Sequence, residues 1–415
     1  MKILKLFLAV FFIFQISALG QTGSGYSRLG IGDVDYSITP YGMGIGGLGV
    51  SLSNSTFYDI INPASWNMIN RTRFSVDMSY SGSFLSQDGT KGFNGKAQFN
   101  GLTFAFPVSD SNGATVSMGI VPYSSVNYNV TGDVVPLTQV SGSYQVLYKG
   151  QGGLSKAFLG TSFRLPFDLS LGATINYYFG SISYVATSQF LSSDASNSNY
   201  TRTYNPSGLG SNFGLISPDF SKYFHWNTVT DLRVGFAAEV LGQLNTDTLL
   251  TSTTTSRTDT INEGNVKMKV PVRLMAGISF VLGEKYSVTL DMATQNWSNY
   301  TFNEFGNGDL RNSLKVSAGF QYKPKIEPGL STWQQIVWRA GVSYDQTQYK
   351  VDGTGINQYS VAGGFSYPMS LGNSFDFTVL YGSRGSARSD LIQERFVKVN
   401  VGLSLGELWF VRPNE

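Results

Sequence analysis

From about residue 72 onward, apolar and polar positions alternate with a period of two. Phe74, Val76, Met78 and Tyr80 interleave with Ser75, Asp77, Ser79 and Ser81. Leu169, Leu171, Ala173, Ile175 and Tyr177 interleave with Ser170, Gly172, Thr174 and Asn176. Val266, Met268, Val270, Val272, Leu274, Ala276 and Ile278 interleave with Lys267, Lys269, Pro271, Arg273, Met275 and Gly277. The same holds for Leu314 to Phe320 and Val397 to Leu405. Successive side chains of a β-strand point to opposite faces, so each run predicts a strand with one apolar face. A soluble sandwich also alternates. Here many runs reach about ten residues or more, enough to cross a membrane at a tilt.

The connections alternate too. Short ones fall near 108–113, 165–168, 229–231, 282–285 and 370–373, with an intermediate one at 324–333. Longer ones fall near 86–96, 131–141, 190–217, 250–265, 302–311, 348–356 and 382–394. Short turns at one end and longer loops at the other mark a transmembrane barrel of about fourteen strands. The predicted spans are 73–85, 97–107, 114–130, 142–164, 168–189, 218–228, 232–249, 266–281, 286–301, 312–323, 335–347, 357–369, 374–382 and 395–406. An even count puts both barrel ends on the periplasmic side.

Residues 1–20 read as a signal peptide: Lys2 and Lys5, an apolar stretch from Leu6 to Leu19, and small residues at Ala18 and Gly20. Cleavage is expected before Gln21. Residues 21–70 are Gly-rich, too apolar for a disordered tail and lack sustained alternation. They predict a plug or hatch in the lumen of a barrel formed by residues 71–415. The expected fold class is all-β, a transmembrane antiparallel barrel in an outer membrane.

Composition agrees. Charged residues are 13% of the chain, aromatics 14%, Gly 47 residues, and mean hydropathy is −0.06. A helical membrane protein would be more apolar and a soluble enzyme more charged. There is no Cys, which excludes disulfides, thiolate chemistry and a lipoprotein anchor. Of 29 basic residues two lie in the leader, leaving 27 against 27 acidic ones. Such a balance gives no reason to expect a nucleic-acid partner.

Candidate chemistry is sparse, and no enzyme, cofactor or metal site is expected. Gly44-Ile45-Gly46-Gly47-Leu48-Gly49 matches G-x-G-x-x-G but lacks the strand–helix context of a dinucleotide site. Its glycines instead suit tight packing and positive φ. His225 is the only histidine, and an interfacial role outweighs zinc binding or a Ser-His dyad. Asp77, Asp291, Asp345, Asp376, Arg233, Lys267, Lys269, Arg273, Lys315, Arg339 and Lys398 fall on the lumen parity. They are expected to pair with each other or with the plug. Asn62-Pro63-Ala64 is a turn signal just before the first strand. Pro122 interrupts the third strand near Gly119. It either removes a ladder bond there or marks where the strand leaves the membrane.

Several stretches carry a family resemblance: GYSRLGIGD (25–33), GIGGLGVSLSNSTFYDIINPAS (44–65), GQGGLSKAFLGTSFRL (150–165), LSLGATINYYFGSI (169–182), DMATQNWSNY (291–300), VSAGFQYKP (316–324) and YGSRGSARSDLIQERFVKVNVGLSLGELWF (381–410). The chain resembles FadL-type outer-membrane transporters of hydrophobic compounds, in a Bacteroidetes-like form. The resemblance implies a fourteen-stranded barrel and a hatch containing Asn62, Pro63 and Ala64. It also implies a third-strand kink, here Gly119 and Pro122, through which ligand passes sideways into the membrane. Implied partners are outer-membrane lipid and a fatty-acid-like or aromatic small molecule. No ligand-contacting residue can be carried over. A second reading is a PorV-like barrel that docks or shuttles for a protein secretion system, with secretion proteins as partners.

Overall fold

The computed structural model describes residues 23–87, 90–136, 142–191, 197–224, 228–254, 257–302, 310–324, 331–370, 372–386 and 391–408. The expected leader and His225 lie outside these described residues.

The alternating runs form one antiparallel sheet rolled into a barrel of fourteen strands. The first six are β1 (Thr72–Gln87), β2 (Thr90–Ser109), β3 (Ala114–Thr131), β4 (Ser143–Arg164), β5 (Ser170–Phe190) and β6 (Ser198–Ile216). Two are interrupted: β7 is Val229–Leu241 and Gln243–Thr253, and β8 is Thr258–Lys269 and Arg273–Leu282. The rest are β9 (Tyr286–Gln295), β10 (Ser313–Tyr322), β11 (Val337–Val351), β12 (Thr354–Ser370), β13 (Asn373–Arg384) and β14 (Gln393–Glu407). β14 pairs with β1 from Glu407↔Thr72 to Gln393↔Ser86, which closes the wall. Thr72 and Glu407 share one end with the β2–β3 turn, called here the turn end; the opposite end is the loop end.

Burial is inverted relative to a water-soluble protein. Ile175 is 70% exposed, while Thr174 and Asn176 beside it are 6% and 1% exposed. Leu209, Val316 and Leu290 likewise face out. Aromatic pairs sit near both rims. Phe74–Phe104 and Trp338–Phe365 lie toward the turn end, Phe84–Phe93 and Tyr344–Tyr359 toward the loop end. An apolar outer belt between aromatic rims is what a bilayer demands of a barrel. Among the described residues no helix is long and apolar enough to cross a membrane.

Three expectations need correction. The sixth strand is Ser198–Ile216, inside the stretch expected to be a loop, while the described residues of the expected strand 218–228 hold the short helix Ser221–Phe224. The outer half of β6 is rich in Ser, Thr and Asn. It is held by ladders to β5 and β7 and not by its own alternation. The long loops expected at 86–96, 250–265 and 348–356 are instead hairpins whose strands run on to Gln87/Thr90, Thr253/Thr258 and Val351/Thr354. Finally, Lys267 and Lys269 face out, and Val266 and Met268 belong to the interior. The alternation slips at Pro271, which cannot donate a ladder bond, so Arg273 resumes on the inner face.

Candidate functional site

The wall is not zipped throughout. Between β2 and β3 the ladder runs from Ser109↔Ala114 only to Leu102↔Ile120. Above that rung, Thr90–Gly101 pairs with β1 and Val121–Thr131 with β4, and no rung joins them among the described residues. Gly119 forms one of the last rungs, opposite Thr103. Pro122 stands two residues past the last rung, where the β3–β4 register also shifts. Pro122 has no N–H to offer. On β2, Gly101 adopts φ 130, and a side chain there would overlap Val121 and the Ile120 carbonyl.

Residues 23–38 lie in this seam as a bar. Asp33 and Val34 pair antiparallel with Ser125 and Ser124 of β3. The Asp35 N–H donates to the Tyr123 carbonyl at 3.0 Å, and the Gly23 N–H to that of Asn127 at 2.8 Å. From β2, three side chains reach the bar. Asn94 and Asn100 donate to the Gly23 and Ile38 carbonyls at 3.3 and 3.1 Å, and Gln98 donates to Asp35 at 3.3 Å. The bar thus satisfies part of the free β3 edge with backbone bonds and meets β2 through side chains.

On the side of β11, β13 and β14 the bar is held by charge and hydrogen bonds. Arg384 lies 2.8 Å from Asp33 and 3.7 Å from Glu394. Glu394 accepts from the Ser24 hydroxyl and the Gly25 N–H, each at 2.9 Å. Tyr349 donates to Asp33 at 2.7 Å, and Lys398 lies 3.5 Å from Asp35. The inner charges therefore do pair with the N-terminal segment. Asp291 also accepts the Val50 N–H at 2.9 Å, and Arg339 pairs within the wall with Asp376 at 3.2 Å.

The lower part of the segment, from Pro40 to Met68, rests on glycines. Gly172 and Gly214 are direct cross-strand partners, as are Gly235 and Gly277, and Gly319 and Gly341. A side chain on the first pair would overlap Asn62, Pro63 or Ala64. On the second pair it would meet Val50, and on the third Ile45 or Gly46. Missing side chains thus let the segment lie against wall backbone. Sequence reasoning missed these pairs, although each glycine has inner parity on its strand. The G-x-G-x-x-G run supplies tight turns here: Gly46 and Gly47 adopt φ 95 and 90.

Asn62, Pro63 and Ala64 sit at β5–β7, away from the seam. Asn62 donates to the carbonyls of Val50, Leu215 and Phe236 at 2.6, 3.2 and 3.3 Å, and accepts the Ala64 N–H at 3.0 Å. It caps the 3-10 helix Pro63–Met68. That helix carries Trp66 into a cluster with Ile38, Val121 and Phe158, beside the register shift at Pro122. Burial pushes the Asp59 carboxyl up to about 6, while the N–H groups of Ile61 and Ile60 act to lower it.

Among the described residues, two cavities stand out inside. One, of about 200 Å³, borders the bar, with Ser79, Lys96, Gln98, Lys315 and Lys398 on its walls. The other, about 190 Å³, lies near the loop end beside Tyr204, Val266 and Phe302. Between them is an apolar interior of Tyr123, Tyr128, Leu154, Tyr178, Trp297 and Tyr300, joined by Ile31 of the bar. On the outer face, β4–β9 form an apolar groove of about 780 Å³ along Phe163, Ala173, Phe213, Phe236, Leu274 and Met292. Among the described residues no group of three or more His, Asp or Glu could hold a metal ion.

Comparison with known proteins places this geometry. The family described as BamG matches residues 1–414. No curated protein matches the chain in sequence. Solved structures match it in fold. A structure titled CymD monoaromatic hydrocarbon channel has a TM-score of 0.57 at 16% identity, covering 91% of this chain and 98% of that one. The Ralstonia pickettii toluene transporter TbuX has 0.58 at 13%, covering 90% and 99%. A Pseudomonas aeruginosa FadL homologue has 0.58 at 11%, covering 93% and 99%.

Proposed function

This chain belongs to the BamG family, and we propose that it is an outer-membrane transporter that passes hydrophobic small molecules, fatty-acid-like or aromatic, and releases them sideways into the bilayer. The observation that carries this reading is the unzipped β2–β3 seam beside an apolar, aromatic interior. A hydrophobic solute gains about 25 cal/mol per Å² of apolar surface by entering lipid in place of water. A lateral exit delivers that gain directly. Fold neighbours described as a monoaromatic hydrocarbon channel and a toluene transporter support the same class of cargo.

The inner cavities, about 200 and 190 Å³, fall below the roughly 300–1,000 Å³ of small-molecule sites. Passage therefore requires the bar to leave the seam while Pro40–Met68 stays on its glycine seat. The test is to delete residues 22–38 and follow uptake of an apolar fluorescent probe. Uptake should rise with the barrel intact. Unchanged uptake would remove the seam from the route.

A second reading is a docking or shuttle barrel for a protein secretion system. The occupied lumen, together with an outer groove of about 780 Å³, favours it. Co-purification of secreted cargo or secretion-system subunits with the intact barrel, lost when Ala238 in that groove is replaced by Phe, would support it over transport.

A further inference from the structure

Arg273 is the first residue of β8 after the Pro271 break, and it is 4% exposed. Its guanidinium lies over two rings: Tyr36 of the bar at 4.9 Å and Tyr123 of the kinked strand at 5.1 Å. It also donates to the Tyr123 hydroxyl at 3.2 Å. Behind it, Glu239 lies 3.1 Å away and is itself bound by Lys156 at 2.7 Å and by the Tyr178 hydroxyl at 2.9 Å. Tyr123 follows Pro122, and its carbonyl accepts the N–H of Asp35, the residue before Tyr36. One fixed cation therefore contacts both the bar and β3, the strand it is paired with.

We propose that Arg273 is the positioning residue that keeps the bar in the seam, clamping Tyr36 and Tyr123 together. This rests on the lateral-exit reading for its functional meaning but not for its geometry. The Glu239–Lys156–Tyr178 group holds the guanidinium in place. A planar guanidinium stacks on aromatic rings in a way that a lysine ammonium does not reproduce. Release of the bar then requires Tyr36 to leave Arg273, and Asp35 to give up its bond to the kinked strand in the same movement.

The chain has no Cys, so a thiol introduced as Val34→Cys reports on the bar alone. Maleimide labelling of folded V34C protein in detergent measures how often the bar leaves. Arg273→Lys keeps the charge facing Glu239 but removes the double stacking. Tyr36→Leu removes the bar's ring and leaves the Arg273–Glu239 pair whole, so it decides the matter if the first variant misfolds. Both variants should label about tenfold faster than the parent, the loss expected for a desolvated cation–π contact. Parent-like labelling in the folded variants would overturn the clamp. So would acceleration by Arg273→Lys but not by Tyr36→Leu, since Arg273 would then act only through its ion pair. Faster labelling with unchanged probe uptake would leave the clamp standing and count against the seam as the exit.

Discussion

Asp33 and Arg384 meet at 2.8 Å although 351 residues separate them in sequence. The contact ties the bar, paired with β3, to β13, four strands further round the wall. Arg384→Met should release the bar without opening the wall, because the β13 ladders to β12 and β14 do not involve the side chain. The pair is only partly buried, so the loss should fall below the roughly 3–5 kcal/mol of breaking a fully buried one. Heat-modifiability on gels should stay that of a folded barrel, while proteolysis within residues 23–38 speeds up. Protection equal to the parent would show that Arg384 does not hold the bar.

The glycine pairs make a sharper prediction. Gly341→Val places bulk against Ile45 and Gly46, whereas nothing stands within 4 Å of the equivalent position at Gly363. Gly341→Val should unseat the lower segment and raise single-channel conductance in planar bilayers. Gly363→Ala should conduct as the parent does. Equal conductance in all three would mean that the seat does not restrict the lumen.

Asn62 is predicted to be the anchor of the 3-10 helix. Asn62→Asp keeps an acceptor for the Ala64 N–H but cannot donate to Val50, Leu215 and Phe236. Leaving a buried polar group unsatisfied costs about 1–3 kcal/mol. Hydrogen exchange of residues 62–69 should accelerate, with the β5–β6 ladder still protected. Full protection of 62–69 would contradict the anchor.

The wall was legible because lipid outside and polar groups inside impose a strict two-residue period. Ile175, on the apolar parity of the Leu169–Tyr177 run, faces out as the alternation predicts. That logic failed where the environment stops enforcing it. β6 rises beyond the apolar belt on Ser, Thr and Asn, and Pro271 resets the parity of β8. Lys398 and Asp35 pair across a distance that no local pattern encodes. The break at Pro122 could be suspected from proline chemistry, but its length depends on Gly101 of the opposite strand. The glycine pairs were hidden for a simple reason: their role is an absence of side chain, which reads as ordinary turn or strand texture.

Asp59 sets a pH dependence on the lower segment. Its carboxyl is raised from 3.8 to about 6 by burial, so folding favours the protonated form. That contribution is full below the unfolded value and is lost as pH rises through about 6. Hydrogen exchange of residues 57–62 should therefore be better protected at the acid end, after correction for the intrinsic pH dependence of exchange. Asp59→Asn should flatten the profile. A parent profile as flat as the variant's would contradict the assignment.

On the proposed route, residues 23–38 bar a lateral exit between β2 and β3. Val34 and Ser124 are direct antiparallel partners, and such Cα atoms lie about 4.5–5.5 Å apart, within disulfide range. With no native Cys, the double variant Val34→Cys/Ser124→Cys forms one unambiguous bond. Uptake of an apolar fluorescent probe should be blocked in the oxidised barrel and return on reduction, whereas either single variant should be insensitive to reductant. Equal uptake by the oxidised and reduced forms would contradict the account.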